Sequence, residues 1–252
     1  MRTIPALALA FFFTSSAASG EELKFYAAAG VKAPLLALAA QYEAATGHKI
    51  TIVFDTAGAT NKAFLADPEA GLLITAQPLI SEGEKSGRLK GGTSYRLGDT
   101  VAGLAAPPGS PKPDISDAAK MKAALLSARR IAFSDPARGA TVGTHFMKVI
   151  ESLGIKDEVL KKATLAQDGV ETMRLVLEGK VDLGVTQTSE IVQANRAALV
   201  GPFPREFELA TTYSLWHRAT ISPAARGLVA LITSPAGRAK LAEDGVRPPA
   251  ER

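Results

Sequence analysis

The sequence predicts an α/β protein built as two lobes, each an open, mainly parallel sheet flanked by helices. Three observations predict it. Strand-like and helix-like segments alternate strictly from Glu22 to Leu89, the pattern of a parallel sheet covered by helices. The cluster Pro107-Pro108-Gly109-Ser110-Pro111 then breaks the chain, and a second α/β alternation follows it. Finally, a chain of 252 residues sits where a single core stops growing and chains divide.

The elements read in order. Glu22–Ala29 is a strand running into small residues. Lys32–Thr46 is a helix with Leu35, Leu36, Leu38, Ala39 and Tyr42 at near-helical spacing, and Gly47 ends it. Lys49–Phe54 is β-branched and strand-like, and Asp55–Thr60 is a turn of small polar residues. It leads into a helix through Phe64 and Leu65. Leu72–Ala76 is a third strand and Leu79–Leu89 a further helix. Val101–Ala106 is a strand ending at the proline cluster.

Asp117–Ala128 is helical, Arg130–Ser134 a strand, and Val142–Leu153 a helix with Phe146, Val149, Ile150 and Leu153 on one face. Ile155–Lys162 is a short helix, Thr164–Ala166 a strand, Gly169–Gly179 a helix and Val181–Thr186 a strand. Glu208–Ile221 is extended. Ser222–Ser234 and Ser234–Gly245 are helices, each with Pro just inside its start. The spatial reading is residues 21–100 plus 192–252 as lobe 1 and 101–191 as lobe 2. The crossings between them fall near Asp99–Ala102 and Gln187–Gln193.

Composition removes several chemistries. There is no cysteine, so disulfide scaffolds, thiolate catalysis and Cys-based metal sites are excluded. The three histidines, His48, His145 and His217, lack metal-ligand spacing, and no metal or cofactor is expected. His145, early in a helix, and His217, beside Trp216, read as packed or surface residues. The formal net charge is +4 without a long basic cluster, which does not point to nucleic acid. Nucleophile-elbow, phosphate-loop, zincin and dinucleotide motifs are all missing, and the chain is not expected to be an enzyme.

The N-terminus has the order of an export signal: Arg2, an apolar run from Ile4 to Phe13, then Ser15–Gly20 and an acidic pair. The run is about ten residues, against the roughly twenty needed to span a bilayer. Residues 1–20 are expected to be a signal peptide, cleaved after Ala18 or Gly20. The expected location is periplasmic.

One feature recurs along the chain. Small turns follow successive strands and open helices: Ala28-Ala29-Gly30-Val31, Thr56–Thr60, Arg138-Gly139-Ala140-Thr141 and Gln167-Asp168-Gly169-Val170. In an open parallel sheet such turns lie at the carboxyl ends of the strands, where ligands bind. Each helix start offers unpaired N–H groups and a positive dipole end. Glycine and alanine let the backbone approach a ligand closely. Several such ends together hold an anion without a charged side chain. The candidate binding residues are Ala29, Gly30, Thr56, Gly58, Thr141, Gly169, Val170 and Gln187, with Arg138 as a charge partner.

The segments FYAAAGVKAPLLALAAQYEAATG (25–47), 54–60, IAFSDPARGATVG (131–143), VLEGKVDLGVTQTSE (176–190) and SPAGRAKLAEDGVRPP (234–249) resemble an extracytoplasmic solute-binding protein of the type 2 periplasmic class. Within that class they resemble most the molybdate-binding component of an ABC transporter. The resemblance implies a type 2 periplasmic-binding-protein-like fold with a ligand cleft between the lobes. It also implies a monomer that closes on its ligand and presents it to a membrane permease. Four departures stand out. Gly30 replaces the family's serine after the first strand, and Thr56-Ala57-Gly58-Ala59 replaces a serine-rich turn. Gly71 stands in place of an aspartate and Gln187 in place of a tyrosine. Loss of two serine hydroxyls and one tyrosine hydroxyl removes up to three ligand hydrogen bonds, each worth roughly 1.5–3 kcal/mol to an anion. The expected ligand is a small solute, an oxyanion of molybdate or tungstate type. The alternatives are a small organic acid on the same scaffold, and an exported enzyme or sensor.

Overall fold

The computed structural model describes residues 20–248; the expected signal segment, Gly20 apart, lies outside the described residues. β1 (Glu22–Ala28) pairs in parallel with β2 (Lys49–Asp55) and β3 (Leu72–Ala76). Leu23, Phe25 and Ala27 of β1 pack into one core and Tyr26 into another. Both faces are thus covered from Phe25 onward, which explains the apolar run Phe25–Ala28. The connecting helices are α1 (Lys32–Thr46), α2 (Ala57–Ala66) and α3 (Gln77–Lys85). Gly47 ends α1 at φ 76°, a left-handed conformation that glycine adopts without a Cβ penalty.

The remaining strands of this half come from far along the chain. β9 (Ala210–His217) lies antiparallel between β3 and β4 (Thr93–Ala105). β4 exchanges neighbours part-way along: Thr93–Val101 pair with β9, and Ala102–Ala105 pair with β7 (Leu183–Gln187). β7 pairs in parallel with β5 (Ile131–Ser134), which pairs in parallel with β6 (Ala163–Ala166). β8 (Leu199–Pro202) adds to the far end of β4. The result is a nine-stranded sheet in the order β2-β1-β3-β9-β4-β7-β5-β6, with β4 common to both halves. Helices α4 (Ala118–Ser127), α5 (Thr141–Ser152), α6 (Lys156–Leu160), α7 (Gly169–Leu177) and α8 (Thr188–Asn195) cover the second half. α9 (Pro223–Thr233) and α10 (Pro235–Glu243) return to the first. The chain then closes on β4, where Asp99 and Arg247 exchange backbone hydrogen bonds of 2.7 and 2.9 Å.

Each half has its own apolar interior. Phe25, Leu35, Ile74, Leu215 and Leu228 belong to one side of the first half, and Phe64, Ile80 and Trp216 to the other. Met121, Phe133, Phe146 and Val185 fill the second half. Ser234 ends α9 and caps α10: its hydroxyl donates to Leu231 O (2.7 Å) and accepts from Gly237 N (3.0 Å). Ser234→Ala is expected to cost about 1 kcal/mol of stability, the usual value of an N-cap, measured by urea denaturation.

Several boundaries differ from the sequence reading. The strand placed at Val101–Ala106 begins at Thr93. Its first residues are polar and half-exposed, and a register shift between Arg96 and Gly98 breaks the alternation that marks a strand. The second crossing is not at Gln187–Gln193, which form the helix α8. Val200, Phe203, Phe207 and Leu209 pack on the interior of the second half, so the return falls at Leu209–Ala210. Val200–Leu209, read with lobe 1, therefore pack on the other half, while Gln193 and Arg196 bond to Gly30, Ala33 and Glu243 of the first. The histidines are satisfied within the fold. His145 Nε2 lies 2.7 Å from Phe207 O, and His217 Nδ1 lies 2.7 Å from Arg218 O.

Candidate functional site

The carboxyl ends of β1, β5 and β7 face one another across the junction of the two halves and border a small cavity of about 30 Å³. The first half supplies Ala29, Gly30, Thr56, Ala57 and Tyr213. The second supplies Ser134 at the end of β5, Thr141 and Val142 at the start of α5, Asp168 and Gly169 at the start of α7, and Thr186, Gln187 and Glu190. No Lys or Arg lines it.

Four helices, α2, α5, α7 and α8, begin at this cavity, and their first turns differ. Thr56 caps α2 by accepting from Ala59 N, and Asp168 caps α7 by accepting from Glu171 N. Ala140, the residue before α5, has no side-chain acceptor to offer. The first N–H groups of α5 therefore meet the cavity without a cap, beside the Thr141 hydroxyl. Unpaired donors and a positive dipole end favour negative charge there.

The opposite end of the cavity is an acceptor end. Gln187 is 3% exposed. Its Nε2 donates to Thr211 Oγ1 (2.9 Å), while its Oε1 is buried without a hydrogen-bond partner. Glu190, the third residue of α8, turns its carboxylate back to accept from Gln187 N (3.1 Å) and from the Thr186 hydroxyl. Both bonds fall on Oε2. The carboxyl lies flat against the Cα of Gly169, in space that any side chain at that position would occupy. Burial, with Asp168 nearby, lifts the Glu190 carboxyl to about 7. Burial likewise raises the Tyr213 phenol, whose ring lies over Gly30 where a side chain would collide with it.

A seam of contacts joins the halves at the cavity rim. Arg138 donates to Asp55 Oδ2 (2.7 Å) and to Gln167 O (3.0 Å). Thr56 Oγ1 donates to Arg138 O (2.5 Å). Gly58 N donates to Gly139 O (3.1 Å). A Cβ at Gly58 would stand 2.7 Å from Gly139 Cα, so the two backbones touch.

The sequence-derived candidates separate accordingly. Ala29, Gly30, Thr56, Thr141, Gly169 and Gln187 line the cavity. Gly58 and Arg138 belong to the rim seam, and the Arg138 charge is matched by Asp55 rather than turned inward. Val170 faces an outer groove with Ala29, Lys32 and Gln193. Ser134, Glu190 and Tyr213 are additional. Glu190 was legible as the fourth residue of a Q-x-x-E helix-start pattern, but the helix it opens was not read. Tyr213 carried no local signal, since it arrives on β9 from a distant part of the chain.

Compared with known proteins, residues 23–247 match the model of the family described as bacterial extracellular solute-binding protein. The chain belongs to that family. Among curated relatives, this solute-binding protein is 25% identical over 229 residues to a Pseudomonas aconitate isomerase, covering 87% of this chain and 85% of the relative. Among solved structures, the molybdate-binding protein of Azotobacter vinelandii superposes with TM-score 0.70 at 19% identity, covering 89% of this chain and 98% of that one. A putative phosphate ABC transporter substrate-binding protein of Clostridium perfringens, with bound phosphate, superposes with TM-score 0.67 at 11% identity, covering 90% and 99%. At those identities the structures establish a shared fold. Among the described residues of this solute-binding protein, no helix is long and apolar enough to cross a membrane, and no group of three or more His, Asp or Glu is placed to hold a metal ion.

Proposed function

We propose that this solute-binding protein captures a small anion between two lobes and delivers it unchanged to an ABC-transporter permease. The first lobe is the half holding β1–β3 and the second the half holding β5–β7. A signal peptide at residues 1–20 carries the chain to the periplasm, where it acts as a monomer. The observation that carries the reading is the uncapped start of α5, which opens into a small cavity that α2 and α7 also point toward. A compact oxyanion of the molybdate class suits a cavity of this size. The rim contacts of Asp55, Thr56 and Gly58 with the second lobe suit a form closed over its ligand.

A small organic acid is the second reading. It is favoured by the aconitate isomerase likeness and by the acceptor end at Gln187 and Glu190, which a hydroxyl or protonated group of the ligand would satisfy. A thermal-shift screen with molybdate, tungstate, sulfate, phosphate, oxalate and aconitate tests both. A true ligand at a hundred times its Kd adds about 2.7 kcal/mol, which is roughly 5–10 °C for a chain of this size. A shift with an inorganic oxyanion supports the first reading, and a shift confined to carboxylates supports the second. No shift with any of them overturns the anion reading. Conversion of aconitate on incubation with the protein, followed by absorbance and mass spectrometry, would overturn delivery without turnover.

A further inference from the structure

We propose that Glu190 carries a proton whenever the cleft holds an anion, so that capture of a fully ionised ligand takes up one proton from solution. The inference rests on the anion reading and sharpens it into a rule of specificity. With Glu190 ionised, the β7–α8 end of the cavity presents two acceptors, its carboxylate and the unpartnered Oε1 of Gln187, with the neutral Tyr213 phenol beside them. An anion held at the start of α5 would face like charge across a small cavity that has no cation on its wall. A proton on Glu190 removes that charge and supplies a donor.

The geometry says where the proton sits. Thr186 Oγ1 and Gln187 N both donate to Oε2; Oε1 has no hydrogen bond among the described residues, so it is the oxygen free to be protonated. Gly169 supports the placement, because a side chain there would fill the space that the carboxyl occupies.

The surroundings of Glu190 do not neutralise it another way. α8 packs against β4, β7, β8, α7, the turn at Ala29–Val31 and the turn at Arg196–Ala198. From α7 the charged neighbour is Asp168, whose charge raises the Glu190 carboxyl further. Lys32, following the first turn, shares only the outer groove with it. Arg196 donates to Glu243 O. β4, β7 and β8 bring hydroxyl and apolar groups but no ionisable side chain toward it, and Tyr213 of β9 is a buried phenol held neutral. In the empty cleft the carboxyl therefore titrates near neutrality, at about 7; an anion beside it moves that titration to higher pH.

The test uses sulfate, molybdate and oxalate, whose own charges are constant between pH 6 and 9. Titration calorimetry of the mature protein is run at pH 6 and pH 8, and at pH 8 in two buffers of different ionisation enthalpy. The expected result is affinity about tenfold weaker at pH 8 than at pH 6, with close to one proton taken up at pH 8. Glu190→Gln is expected to flatten the profile and abolish proton uptake. Asp168→Asn keeps the α7 cap but removes the neighbouring charge, and should move the midpoint of the profile to lower pH. Binding of a probe with a flat wild-type profile, or an unchanged slope in Glu190→Gln, overturns the proton coupling and leaves the anion reading standing. Affinity that rises with pH overturns it equally, since binding would then favour the ionised carboxyl. No binding of any probe at either pH overturns the anion reading and this inference with it.

Discussion

Gly58→Leu is expected to abolish ligand capture while leaving the unliganded protein folded. Gly58 lies in the first turn of α2, and its backbone meets Gly139 across the rim, with a hydrogen bond of 3.1 Å from Gly58 N to Gly139 O. Even one carbon added at Gly58 would come within 2.7 Å of Gly139 Cα, a separation that real Cβ atoms do not adopt. Gly139 cannot simply retreat, because it holds φ 72° at the end of the Pro136–Arg138 turn. Leucine is a better helix former than glycine, so α2 should tolerate it when the rims are apart. The substitution therefore acts on the closed arrangement and not on the helix. Holding the rims apart also separates Arg138 from Asp55 and from Thr56. A ligand stabilises a state only by binding it better than the alternatives. We expect affinity to fall roughly a hundredfold or more, equivalent to about 2.7 kcal/mol, with the unliganded melting temperature little changed. Calorimetry with whichever anion shifts the wild type, beside circular dichroism of the empty variant, checks both halves of the statement. Wild-type affinity in Gly58→Leu would show that the rim contact plays no part in binding.

The second large effect concerns stability and pH. Glu190 titrates at about 7 in the folded protein, raised chiefly by burial, against about 4.5 for the group in an unfolded chain. The folded state thus binds the Glu190 proton more tightly than the unfolded state does. Its contribution is fully present below the unfolded value and is lost as pH rises through the folded one. Between about pH 4.5 and pH 8 the wild type should lose roughly 3 kcal/mol from this group alone. Glu190→Gln keeps the shape and stays neutral, so it should gain stability on the wild type as pH rises and match it near pH 5. Urea unfolding of the empty proteins at pH 5 and pH 8 measures this. Equal differences at the two pH values would mean that the buried carboxyl does not titrate as its surroundings dictate.

The chain shows unevenly how much of a binding site local sequence can reveal. Regular β-α alternation made the parallel strands readable, because β3, β5 and β7 are buried along their length and β1 is buried from Phe25 onward. It failed at β4, where Thr93–Arg96 are polar and a register shift interrupts the strand. The turns after the strands led to Gly30, Thr56, Thr141 and Gly169, since in a parallel sheet the carboxyl ends of the strands necessarily meet on one edge. The same rule could not tell which turn residues look inward. Gly58 and Arg138 stand in the same turns as Thr56 and Thr141 yet meet the opposite lobe at the rim. Tyr213 and Glu190 lay beyond the rule. The one arrives on an antiparallel strand from the far end of the chain, and the other follows a strand end by a helical turn. Tyr213 depends on long-range pairing, which local pattern does not encode, whereas Glu190 is placed by its own neighbours Thr186 and Gln187.

The position of β9 has a consequence for how the protein is made. β3 and β4 are neighbours in sequence but not in the sheet, for Ala210–His217 must lie between them. Trp216 and Leu215 come with that strand and enter the two interiors of the first half. A chain emerging from the ribosome N-terminus first therefore carries β1, β2 and β3 for most of its synthesis without the strand that completes their sheet. The first half cannot close early, whereas β4–β8 of the second half are all made before β9. With no cysteine to lock a partial fold, the sheet of the first half stays incomplete until late in synthesis.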